Sequence, residues 1–71
     1  MGKPGSFVIC AKKVNDDWAI DSWKDSYTEA ERIATQLTVK PYMAQIAAVF
    51  EVGGSDALPE FTLKFQAKGQ A

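Results

Sequence analysis

Apolar residues recur along this chain with two different periods. Between Tyr27 and Leu37 (YTEAERIATQL) they fall at Ala30, Ile33, Ala34 and Leu37. That spacing of i, i+3, i+4 and i+7 lines one face of a helix, and Glu29, Glu31, Arg32, Thr35 and Gln36 take the wet face. Two capping boxes compete for the helix start, Ser26 with Glu29 and Thr28 with Glu31. Thr28 is preferred as the cap, because it leaves Tyr27 outside to pack on the first turn. Pro41 is expected to stop the helix, since it disfavours helical backbone at Lys40.

Elsewhere the period is two. Ser6 to Lys13 (SFVICAKK) reads as a strand, with Phe7, Ile9 and Ala11 on one face and Val8, Cys10 and Lys12 on the other. Asn15-Asp16-Asp17 is a turn. Trp18 to Trp23 (WAIDSW) returns as a second strand, giving an antiparallel hairpin. Regular alternation there puts Trp18, Ile20 and Ser22 on one face and Ala19, Asp21 and Trp23 on the other. Tyr42 to Val52 (YMAQIAAVFEV) accepts a helix opened by Pro41 or a strand. The strand is preferred, because the run ends in Val-Phe-Glu-Val before Gly53-Gly54. It would carry Ala44, Ile46, Ala48, Phe50 and Val52 on one apolar face. Gly53 to Glu60 is a long connection rich in turn formers. Phe61 to Ala67 (FTLKFQA) alternates cleanly, with Phe61, Leu63, Phe65 and Ala67 on one face.

Together the periods predict an α+β fold. A four-stranded, mainly antiparallel sheet, ββαββ in chain order, carries one amphipathic helix packed on one face. One domain is expected over residues 6–68, with a flexible lead-in at 1–5 and a frayed end at 69–71. Met1-Gly2 with Ser6 fits the loose N-myristoylation pattern, but an ordinary chain start is preferred.

At 71 residues, with 46% hydrophobic and 24% charged positions, the chain is a single small globular unit with little room for a core. Its one cysteine, Cys10, excludes an internal disulfide. Stability must then come from tight packing, self-association or a partner. A net charge of −1 gives no general attraction to polyanions. No run is long and apolar enough to span a bilayer, and no signal-peptide pattern opens the chain, so a cytoplasmic protein is expected.

The run EAERIATQL…YMAQIAAVFEV, Glu29 to Val52, resembles a pattern in many small phage and prophage proteins. There, an EAExxA-like helix feeds a strand of mixed aliphatic and aromatic residues. The layout is also similar to that of small phage-encoded inhibitors, including RNA polymerase inhibitors and anti-CRISPR proteins. The resemblance covers about a third of the chain and places no functional residue. It implies a non-enzymatic protein that occupies the surface of a larger host protein.

The chain contains no histidine. The usual general base near neutral pH and the commonest metal ligand are therefore missing, and no catalytic residue, metal site or cofactor is expected. Gly53-Gly54-Ser55 lacks the lysine and following helix of a phosphate loop. Asp16, Asp17, Asp21 and Asp25 lack calcium-loop spacing. Cys10, in mid-strand, reads as packing.

The tryptophans carry more information. One helix covers one sheet face, so Trp18 and Trp23 on opposite faces divide between core and surface. Trp18 shares a face with Ile20 and is assigned to the core. Trp23 then anchors an exposed patch with Val8 and Cys10, rimmed by Lys12 and Asp21, that marks a protein-binding surface. The expected partner is a larger host protein or a second copy of the chain. The alternative is a sheet domain for single-stranded nucleic acid, using the lysines and aromatic rings. Net charge and the single arginine, Arg32, argue against it.

Overall fold

A computed structural model describes residues 3–69. Strands β1 (Phe7–Lys12) and β2 (Ala19–Lys24) form a hairpin, followed by helix α1 (Tyr27–Leu37) and then strands β3 (Ile46–Gly54) and β4 (Pro59–Lys68). The four strands make one sheet in the order β2-β1-β3-β4, and every neighbouring pair is antiparallel. The α+β class, the ββαββ order and the single covering helix are as the pattern predicts.

The helix begins one capping box earlier than expected. Ser26 is the N-cap, in extended backbone, and its Oγ accepts from the Glu29 amide at 3.3 Å. Tyr27 thereby becomes the first helical residue rather than an outside staple. Its ring meets Phe7 edge to face, with centroids 5.7 Å apart. Glu29 turns to Lys24, 3.4 Å away, and so ties the helix start to the end of β2. The helix closes at Thr38, whose hydroxyl donates to the Thr35 carbonyl at 2.7 Å. A tight turn through Val39 to Met43 follows, with Met43 at φ 56°.

The apolar stripe of α1 packs on the sheet as predicted. Ala30, Ala34 and Leu37 are buried with Ile9, Val49, Ala44 and Ala47, and Phe7, Ile33 and Phe65 close the margins. Alanines on both sides let the backbones approach, so the core is thin. Ala44 belongs to this helix-side core, since the chain turns at Met43 and β3 starts only at Ile46. It does not share the face of Ile46 and Phe50.

The β3–β4 connection is tighter than expected, because β3 extends to Gly54 and β4 starts at Pro59. Ser55 and Leu58 close it reciprocally. The Ser55 amide donates to the Leu58 carbonyl at 3.2 Å, and the Leu58 amide to Ser55 Oγ at 3.1 Å. Gly54 has φ +77°, and a Cβ there would lie 2.4 Å from the Leu58 carbonyl oxygen. Asn15, at φ 68°, makes the corresponding turn in the first hairpin.

Candidate interaction surface

The helix covers only one side of the sheet. On the covered side, Ile9 pairs with Val49 and Ala11 with Ala47. The opposite, open side is set by the strand registers, and two irregularities on the edge strands decide its composition.

On β2, Ile9 pairs with Ser22 while Cys10 pairs with Ile20, so Asp21 is an extra, bulged residue. On β4, Val49 pairs with Phe65 while Phe50 pairs with Leu63, so Lys64 is the extra residue. A bulge advances the chain by one residue and exchanges the faces of everything beyond it. Ile20 and Trp23 consequently share the open face, and β4 splits. Phe61 and Leu63 go to the open face, 53% and 49% exposed, while Phe65 turns to the core.

The expected single face of Phe61, Leu63, Phe65 and Ala67 is therefore corrected by the bulge. The same applies to the expected separation of Ile20 from Trp23. Trp18 is not a core residue: it precedes β2 and is 48% exposed.

The result is a set of cross-strand rows. Trp23, Val8, Phe50 and Leu63 form one row across all four strands, apolar throughout. Ile20, Cys10, Ala48 and Gln66 form the next. Lys12, Ile46 and Lys68 form a third, at one end of the face. Val52 and Phe61 pair at the other end. Val8, Cys10, Ile20, Trp23, Phe50 and Phe61 enclose a shallow hollow of about 270 Å³. Val8, Ala48 and Val52 are small enough to be buried between the larger side chains, whereas Ile20 is 59% exposed.

The residues expected to bind are only partly brought together. Trp23 and Val8 line the hollow, and Lys12 stands at the basic end, with its Nζ 3.5 Å from Gln45 Oε1. Asp21 does not rim the patch. It is the bulged residue, it accepts from Ser22 Oγ at 3.0 Å, and it lines grooves on the helix side with Leu37 and Tyr42. The bulged Lys64 also leaves the open face, reaching Glu51 at 3.3 Å. Both bulges thus turn a charged side chain toward the helix layer and leave the part of the open face around Trp23, Val8, Phe50 and Leu63 apolar, with Lys12 and Lys68 at one end.

Strand alternation alone does not place Ile20, Phe50, Phe61 and Leu63 together on the open face; the cross-strand register does. The consecutive polar pair Asp21-Ser22 between Ile20 and Trp23 is a legible break in alternation. The FTLKF stretch of β4 carries no comparable signal.

Cys10 lies half-buried in the hollow, and burial pushes its thiol pKa up. That is opposite to the lowered value of a reactive cysteine. Among the described residues no group of three or more cysteine or carboxylate side chains is placed to hold a metal ion. No helix is long and apolar enough to cross a membrane among them. No family model, characterised protein or solved structure matches this chain.

Proposed function

We propose that this chain is a non-enzymatic protein-interaction module whose contact surface is the open face of the sheet. The observation that carries this reading is the apolar sheet face left uncovered by the helix, where Ile20, Phe61 and Leu63 are exposed and Trp23 and Phe50 are half-buried around the buried Val8. Contiguous exposed apolar surface of this kind is characteristic of binding sites, and a partly buried tryptophan is a typical energetic anchor. The face is a better docking surface than the sheet edges. Both edge strands are bulged, and a bulge disturbs the ladder that an added strand would extend.

In this reading the protein acts by occupying a surface of another protein. The resemblance of Glu29 to Val52 to small phage proteins suggests an inhibitor or adaptor, directed at a host component such as one of defence or transcription. Affinity capture from the native host, with identification of the captured protein by mass spectrometry, provides the partner for a direct binding measurement. Trp23→Ala and Leu63→Lys each weaken that complex by ten-fold or more, about 1.4 kcal/mol, while Arg32→Glu on the wet face of the helix does not. Equal binding by all three variants sinks the proposal. Steep loss of binding to single-stranded DNA with rising salt would instead favour the nucleic-acid reading, through Lys12 and Lys68.

A further inference from the structure

We infer that, in the free protein, the open face is covered by a second copy of this chain, packed face to face about a two-fold axis that reverses the strand direction. This rests on the open face being the interaction surface and names its occupant when no other protein is present.

Area is the first argument. Four strands about 4.8 Å apart, with face rows spanning roughly 25 Å along the strands, present a footprint of roughly 500 Å² per copy. Two copies bury on the order of 1,000 Å² together, the lower bound for a specific interface. Sheets stack about 10 Å apart with strands within about 30° of each other.

Relief and charge then select the orientation. The row Trp23–Val8–Phe50–Leu63 is bulky, and its neighbour has the small Cys10 and Ala48 at its centre. Reversing the strands lays this row of one copy over the neighbouring row of the other, so Phe50 stands over Ala48 and Val8 over Cys10 at the centre, with Trp23 over Ile20 and Leu63 over Gln66 at the edges. At the centre of the face the large Phe50 then meets the small Ala48, as close packing favours. Keeping the strand direction would stack bulky row on bulky row.

It would also bring Lys12 and Lys68 of both copies together at one end, four like charges against an apolar interface. Reversal sends each lysine pair to the opposite end, over Val52 and Phe61, where the long stems can lie on apolar surface and the ammonium groups reach water. In this arrangement each edge strand lies over its own copy, β4 over β4 and β2 over β2.

Sedimentation equilibrium of the full chain, from low micromolar to submillimolar, tests the association. A concentration-dependent dimer is expected, and Leu63→Lys and Ile20→Lys each weaken it by ten-fold or more without changing the circular dichroism spectrum. Orientation is tested by Leu63→Cys in a Cys10→Ser background. A short bis-maleimide should link two copies through β4, whereas Gln36→Cys on the helix should not be linked. A monomer at every concentration overturns the inference, as does a dimer unaffected by both lysine variants. A dimer that is not linked through Leu63→Cys overturns the strand-reversing arrangement. A monomer that still captures another protein through Trp23 and Leu63 overturns self-association alone, and leaves the interaction reading standing. Loss of both face-dependent effects removes the two together.

Discussion

Ile20 and Trp23, three residues apart on β2, project from the same face of the sheet: Ile20 pairs with Cys10 and Trp23 with Val8, and both line one apolar hollow. Regular alternation would separate them. The extra residue, Asp21, restores them to one side, and Lys64 does the equivalent for Leu63 on the other edge. Two single-residue bulges therefore assemble an apolar surface from strands that would otherwise divide their large residues between the faces.

The core should be sensitive to volume in both directions. Leu37 is buried against the sheet, and Leu37→Ala is expected to cost about 2–5 kcal/mol. Ala34 is fully buried where the helix approaches the sheet, and Ala34→Leu is expected to cost about 1–3 kcal/mol by overpacking. Urea denaturation measures both. An Ala34→Leu variant as stable as the parent would mean that the helix stands further from the sheet.

The helix cap gives a sharper contrast. Ser26 accepts from the Glu29 amide, whereas Thr28 lies within the first turn. Ser26→Ala should cost about 1 kcal/mol, and Thr28→Ala should stay within the roughly 0.5 kcal/mol usual for surface changes. The reverse order in thermal melts would move the cap to Thr28.

Gly54 should not tolerate a side chain. Its φ of +77° is unfavourable for other residues, and a Cβ would meet the Leu58 carbonyl oxygen at 2.4 Å. Gly54→Ala is expected to lower stability by at least about 1–2 kcal/mol from backbone conformation alone. Gly53 has ordinary space around it, with the nearest atom 4.0 Å from its Cβ position. Gly53→Ala should be much milder, and equal losses at the two positions would contradict the turn geometry.

Cys10 should behave as a protected thiol. Burial raises its pKa, so the folded state favours the neutral form. The associated stability is fully present below the unfolded thiol pKa and is lost as pH rises through the higher folded value. Iodoacetamide should therefore label the native protein more slowly than the urea-unfolded chain at mildly alkaline pH. The melting temperature should fall more steeply above the ordinary thiol range than it does for Cys10→Ala. Native labelling as fast as in urea would show an unshifted, open thiol.

The sequence by itself determined the local elements. The spacing of Ala30, Ile33, Ala34 and Leu37 is a property of consecutive residues, and the helix observed is Tyr27–Leu37. Alternation from Phe7 to Lys12 likewise placed Val8 and Cys10 opposite Phe7 and Ile9, and Asn15-Asp16-Asp17 marked the hairpin turn. Tertiary structure decided which apolar face is covered. The most apolar side of β3, with Ile46 and Phe50, remains open, while α1 lies over Ala47 and Val49. Alanines at Ala11, Ala30, Ala34 and Ala47 allow the close helix–sheet approach, and that fit depends on two surfaces at once. Alternation also specifies only parity along a strand. The bulges at Asp21 and Lys64 exist only relative to the residues paired across the ladder, so no single strand records them in full. The side on which Trp23, Phe61 and Leu63 emerge was therefore settled by pairing, not by pattern.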